Sequence, residues 1–302
     1  MRWLFHALHA RDLSWGSDDR YRPASLEREG FVHGSFRDVV RESARLYFPA
    51  GSDLRVLAID PRRLDVPVVV ADTPRGPMPH VHGAIPRDAV RVLSLDEVDG
   101  HADRVTGTRF ALCAFAGMTL LDLVGPLDVL SRIGSMGFDP TSSCRVIALT
   151  RAEPDRAGEV VVWRGSAMTM LAEAYRPPLD DVDVLVVPGG PSVRALADDP
   201  EVARYLASFP HSRLLAAVCT GSLLVGAAGR LHGKRATTHA TALDQLSKYG
   251  AIPVRERVVD EGQIVTCGGV TSGIDLALHL VERLEGADVA RAIAERIELR
   301  RG

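Results

Sequence analysis

The sequence predicts an α/β fold, a doubly wound and mostly parallel sheet over residues 105–302, preceded by a small α+β domain over residues 1–104. Four apolar runs carry the first half of that reading: RFALCAF (109–115), CRVIAL (144–149), DVLVVP (183–188) and RLLAAV (213–218). None alternates with polar residues, so each reads as a strand buried on both faces. Segments of helical length separate them, which is the rhythm of a parallel sheet wound by crossover helices. Before residue 104 the rhythm is missing, and loops rich in Pro, Gly and His take its place, as in YRPASLEREGFVHGS (21–35) and DTPRGPMPHVHG (72–83).

The first region contains one helix, RDVVRESARLYF (37–48), with Val39, Val40, Ala44 and Leu46 near helical spacing, followed by a strand at DLRVLAID (53–60). The acidic, polar stretch LDEVDGHADRVTG (95–107) reads as a linker between separately folded units. In the second region EVVVWRGSAMTM (159–170), with Arg164-Gly165 at its middle, reads as a hairpin that adds an antiparallel element at one end of the sheet.

Composition narrows the function. At 302 residues the chain has room for two ordinary domains, and 46% apolar residues suffice for a core in each. No apolar run approaches the roughly 18 residues of a membrane span, and MRWLFHALHARDLSW lacks the features of a secretory leader, which points to the cytoplasm. A net charge of −3 with dispersed arginines leaves no footprint for nucleic acid. Cys113, Cys144, Cys219 and Cys267 form no C-x-x-C pair, so they read as free thiols and not as a zinc site.

RLLAAVCTGSLLVGAAG (213–229) is the segment that carries chemistry: a strand, a single Cys, then Thr-Gly-Ser opening a helix. This is a strand–turn–helix nucleophile elbow, which presents one side chain at the carboxyl end of the sheet, where open α/β sheets bind ligands. Unpaired N–H groups at the helix start favour thiolate, so Cys219 is expected to be nucleophilic at neutral pH. Cys113 and Cys144 fall inside apolar strands and read as core, and Cys267, just before the Gly268-Gly269 tight turn, reads as structural with a place near the site as the alternative.

LCAFAGMTLLDLVGPLDVL (112–130), DVLVVPGG (183–190), AAVCTGSLLVGAAG (216–229), GKRATTH (233–239) and VTCGGVTSGIDLALHLVERL (265–284) resemble, in unbroken order, the blocks of the ThiJ/PfpI superfamily. The LDL-x-GP motif and Cys-Thr-Gly, in place of Cys-His-Gly, resemble its isonitrile hydratase branch more narrowly. The resemblance implies a flavodoxin-like fold of the class I glutamine amidotransferase type, a small-molecule substrate, no cofactor or metal, and a homodimer.

The same resemblance implies Cys219, Asp122 and Thr220 as catalytic residues, in a hydro-lyase that hydrates isonitriles to N-substituted formamides. On its own residues Asp122 also reads as a helix N-cap, and Thr220 as a turn residue. Gly189, Gly190 and the Thr220 amide are candidate donors to developing charge, and His239 a candidate pocket residue. Two alternatives stand beside this one: a non-enzymatic redox or ligand sensor, and a glyoxalase or deglycase-like enzyme using His239 as base. Relatives within AraC-type regulators carry a helix-turn-helix unit after the sheet domain, for which few residues remain after Arg296. The isonitrile hydratase branch is also expected to continue beyond the point where this chain reads IELRRG.

Residues 3–95 resemble the small bacterial family known as domain of unknown function 952, through His6 at the end of a first strand, YRPASL, GFVHGS, DLRVLAID and PHVHG. The resemblance implies an ADP-ribosyltransferase-like α+β fold with no activity to transfer. His6, Ser25, His33, Ser35 and His80 are polar residues in loop-like contexts and candidates for one pocket, while His80-x-His82 lacks the spacing of a helical metal site.

Overall fold

A computed structural model describes residues 2–74, 76–150, 160–164 and 169–299. The chain divides into two compact units, Met1–Val105 and Thr106–Gly302.

In the first unit the strands Leu4–His9, Leu54–Ile59 and Val90–Leu93 form an antiparallel sheet with Leu54–Ile59 in the centre. Side chains alternate across it, and both faces are covered. Leu4, Leu8, Leu57 and Ile59 join one core, and Phe5, Val56 and Ala58 the other. The helix Val40–Tyr47 lies with the second group through Val40, while Leu46, two residues on from the buried Ala44, turns to solvent at 60% exposure. A second antiparallel sheet contains Val32–His33, Gly76–Val81 and Val68–Thr73.

The segment expected to be a linker belongs to this unit. Val98 is fully buried with Phe5 and Val40, the Trp3 N–H donates to the Asp103 carbonyl at 2.9 Å, and Arg2 pairs with Asp103 at 3.0 Å. Its acidic residues face arginines of its own unit (Arg41 with Asp99 at 2.9 Å), which is why polarity alone misread it.

The second unit has a seven-stranded sheet in the order Ala174–Tyr175, Ser143–Ala148, Arg109–Ala114, Val184–Val187, Leu214–Ala217, Ile264–Cys267, Val258–Asp260. All neighbours are parallel except the last pair. The sheet is flanked by helices that include Leu120–Ser135, Pro200–Ala207 and Ser272–Glu285. Val184–Val187 and Leu214–Ala217 are buried at every residue, as their unbroken apolar runs require. The strands Val160–Arg164 and Thr169–Ala172 do form an antiparallel pair, but as a separate two-stranded sheet. The antiparallel edge of the main sheet is Val258–Asp260, and the expected turn at Gly165 lies outside the described residues.

The chain winds in opposite directions from the strand Arg109–Ala114: the next strand, Ser143–Ala148, lies on one side, and Val184–Val187 on the other. Such a switch point opens a crevice at the carboxyl ends of the strands. The segments beginning at Phe115, Pro188, Val218 and Gly268 all leave the sheet at that end.

Candidate active site

Cys219 follows the strand Leu214–Ala217 by two residues and precedes the helix Gly221–Ala227, with Thr220 as N-cap. Its φ is 55°, a left-handed conformation that costs a residue with a β-carbon about 1–2 kcal/mol. The surroundings enforce it. The Cys219 N–H donates to the Gly268 carbonyl at 3.1 Å, and its own carbonyl accepts from the hydroxyls of Thr238 at 2.7 Å and Ser222 at 3.3 Å. A conformation held at both ends of the residue persists despite its cost. Gly221 is required at the turn, because a β-carbon there would lie 2.3 Å from the Val187 carbonyl oxygen.

Asp122 enters from the helix Leu120–Ser135. It is not the N-cap, a place taken by Thr119, but the third helical residue, and it is wholly buried. Its Oδ2 accepts the Gly189 N–H at 3.0 Å, across 67 residues of chain. Its Oδ1 has no hydrogen-bond partner among the described residues, and the carboxyl lies within reach of the Cys219 thiol. Burial pushes this carboxyl up from the ordinary aspartate range, against the pull of the Gly189 N–H, the thiol and His239.

Burial and the Asp122 carboxylate likewise push the Cys219 thiol up, opposed by hydrogen bonds from the main-chain N–H groups of Thr220 and Val270. The helix start alone suggested a lowered thiol. Burial of the sulfur reverses that expectation, and the Asp122 carboxyl against it, supplied from nearly a hundred residues upstream, adds to the reversal.

The loop Pro188-Gly189-Gly190 ties these parts together. The Gly190 N–H donates to Thr220 Oγ1 at 2.9 Å, and the Thr119 N–H to the Gly189 carbonyl at 2.9 Å. The Gly189 and Gly190 amides are therefore engaged by Asp122 and Thr220, and the donors that face the sulfur are Thr220 and Val270. A β-carbon on Gly189 would fall 2.6 Å from the Thr220 nitrogen and 3.0 Å from Asp122 Oδ2. Gly189→Ala is expected to cost about 1–3 kcal/mol and to separate the two groups, visible as a lower urea midpoint. An unchanged midpoint would show that the loop gives way freely.

Val270 had no mark in the sequence as a site residue. It is β-branched yet has a φ of 44°, in the turn between the strand Ile264–Cys267 and the helix Ser272–Glu285. The one available signal was the repeat of the elbow pattern, a strand followed by small residues and a helix. His239 packs its ring on Gly269, and its Nδ1 accepts the Thr241 N–H at 3.3 Å. Cys113 and Cys267 are buried thiols pushed up by burial, and Cys144 is partly buried and pushed up to about 12.

In the first unit His6 sits in the middle of the strand Leu4–His9, not at its end. Its Nδ1 lies 2.7 Å from the His33 carbonyl and its Nε2 3.1 Å from the Tyr21 hydroxyl, and burial pushes it down to about 4. A carbonyl only accepts, so Nδ1 donates and Nε2 receives the tyrosine proton. His33 and His80 face each other across paired strands, and His80 stacks on Phe31 at 4.0 Å between ring centres.

Ser35 does not join them. It pairs with Phe5 and hydrogen-bonds Ser43 at 3.2 Å on the opposite face of the sheet from His6, as strand alternation requires. Ser25 lies on the short helix Ala24–Glu29 with a buried hydroxyl. Among the described residues no group of three or more His, Cys, Asp or Glu is placed to hold a metal ion, and no helix is long and apolar enough to cross a membrane.

Strand order, switch point and a left-handed cysteine between strand and helix define the class: a flavodoxin-type α/β domain with a cysteine elbow. The chain belongs to the DJ-1/PfpI family, whose model matches residues 108–283. Residues 9–93 match a second model, described as a protein of unknown function (DUF952). The isonitrile hydratase of Pseudomonas putida is 47% identical over 192 residues, covering 61% of this chain and 75% of that protein. The glutathione-independent glyoxalase DJR-1.2 of Caenorhabditis elegans is 30% identical over 112 residues, covering 37% of this chain and 60% of that one. Among solved structures, a ThiJ/PfpI family protein from Pseudomonas syringae superposes with a TM-score of 0.56 at 29% identity, covering 70% of this chain and 81% of that one.

Proposed function

We propose that the second unit hydrates isonitriles to N-substituted formamides. The observation that carries this reading is the pair of Cys219 and Asp122, a thiol and a carboxyl buried together, with one carboxyl oxygen left without a partner. The 47% identity to the Pseudomonas putida isonitrile hydratase supports it.

Two buried acids side by side do not both ionise readily, so between them they hold one proton. The Asp122 carboxylate takes the Cys219 proton as the sulfur attacks the terminal carbon of the isonitrile, and passes that proton to the same carbon. The product is a thioimidate, R–N=CH–S–Cys219. Asp122, again a carboxylate, takes a proton from water as it adds to that carbon and passes it to the nitrogen; the C–S bond then breaks, the added hydroxyl gives its proton through Asp122 to the departing sulfur, and R–NH–CHO and the thiol are released. The N–H groups of Thr220 and Val270 hold the sulfur while it carries charge. The Thr220 side chain acts through position, by anchoring the elbow to Gly190.

The glyoxalase-like alternative needs a histidine base directed at the substrate, and the Nδ1 of His239 is turned to Thr241, 2.9 Å from its hydroxyl. Purified protein should therefore convert cyclohexyl isonitrile to its formamide, followed by chromatography, and leave methylglyoxal unchanged. The reverse pattern would sink the proposal. The active form is proposed to be a homodimer of a protein that works in the cytoplasm; a monomeric mass by sedimentation would refute the first part, and export of the tagged protein from its native cell the second.

A further inference from the structure

The strands Leu214–Ala217 and Ile264–Cys267 are parallel neighbours with Ala217 opposite Thr266. Continuing that register sets Val218 opposite Cys267 and Cys219 opposite Gly268, in keeping with the hydrogen bond from the Cys219 N–H to the Gly268 carbonyl. Cys219 and Cys267 are thus diagonal neighbours on adjacent strands. A strand spacing of about 4.8 Å and a rise of about 3.3 Å put their α-carbons about 6 Å apart. That lies inside the roughly 4.4–6.8 Å window of a disulfide.

In a regular sheet such neighbours point to opposite faces, but the left-handed φ of 55° takes Cys219 out of the alternation. The Cys219 N–H also lies within hydrogen-bonding reach of the Cys267 sulfur. Cys113 and Cys144 belong to strands two and three places away in the sheet.

We propose that Cys267 is a resolving thiol: when a hydroperoxide oxidises Cys219, the sulfenic acid is captured by Cys267 as a Cys219–Cys267 disulfide. The inference rests on Cys219 being the reactive thiol. The Cys219 thiolate attacks the terminal peroxide oxygen, an S–O bond forms, the O–O bond breaks, and alkoxide, or hydroxide in the case of hydrogen peroxide, leaves, so the sulfur gives up two electrons. The Cys267 sulfur then attacks the Cys219 sulfur; an S–S bond forms, the S–O bond breaks, and the hydroxyl leaves with the thiol proton as water. Cys267 has no exposed surface, whereas Cys219 keeps 5% exposure at the crevice, so peroxide meets Cys219 and Cys267 acts only on its neighbour. The disulfide blocks the nucleophile reversibly, where further oxidation to sulfinic acid would end its activity.

The test is a brief treatment of the full chain with dilute hydrogen peroxide, then digestion without reductant and mass mapping. Expected is one cross-linked peptide pair containing Cys219 and Cys267, lighter by two hydrogens and separated by dithiothreitol. In Cys267→Ser and Cys267→Ala, Cys219 should instead accumulate as sulfinic acid, with at least a tenfold fall in thiol recovered by reductant. Sulfinic acid at Cys219 of the unaltered protein, with no cross-linked pair, overturns the resolving role while leaving the nucleophile in place. Uniform oxidation of all four cysteines, or a Cys219 that stays reduced, overturns both.

Discussion

Cys219→Ala should leave a folded protein whose isonitrile turnover is lower by about 10³-fold or more, the scale on which loss of a covalent nucleophile acts. Turnover that survives the substitution would show that the thiol is a bystander. The same position separates chemistry from strain. Alanine inherits the φ of 55° with its cost, whereas glycine adopts it freely. Cys219→Gly, equally inactive, should therefore be more stable than Cys219→Ala by about 1 kcal/mol in urea unfolding. Equal midpoints would mean that the contacts of Thr238, Ser222 and Gly268 do not hold the residue under strain.

Asp122→Asn should lower turnover by about 10²–10⁴-fold, the usual contribution of a positioned acid or base. The fold should survive, because the amide oxygen still accepts the Gly189 N–H. The stability effect follows from the direction of the shift. The Asp122 carboxyl titrates higher in the folded protein than in the unfolded chain, so its contribution to stability is fully present below the unfolded value and is lost as pH rises through the folded one. Asparagine has no such dependence. The stability of the variant relative to the parent should rise from acid pH toward neutrality, measured as urea midpoints across that range. A relative stability that falls over the same range would mean that the carboxylate is better solvated in the folded protein than its burial indicates.

Most of the second unit was legible because its physics is local. A strand buried on both faces must be apolar throughout, and a tight strand–turn–helix junction needs small residues around Cys219. The ends of the sheet were less legible: the hairpin at 159–170 was placed at its edge, whereas that edge is Val258–Asp260, since periodicity describes a strand but not its neighbour. The linker expected at 95–107 folds back because Val98 fills a core whose other buried members, Phe5, Val40, Val56 and Ala58, lie 40 or more residues earlier, and no local pattern records that.

At the site, Asp122 was identified through a family motif and not through physics. Its carboxyl matters because the Gly189 N–H and the Cys219 thiol meet it from distant parts of the chain. Val270 escaped for the same reason: the N–H that it contributes is common to every residue but proline, and only its left-handed backbone sets it apart. In the first unit Ser35 and His6 looked alike as loop polars, and the pairing of Ser35 with Phe5 puts them on opposite faces.

The four segments that leave the sheet at one end also govern how the site is born. Asp122, Gly189, Cys219 and Val270 each follow a different strand, so their meeting depends on pairings between stretches far apart in the chain. Contacts of such long range are slow to form. The thiol therefore has its acid partner and its amide donors only once those pairings are made, and a chain that has collapsed without completing the sheet carries an ordinary cysteine.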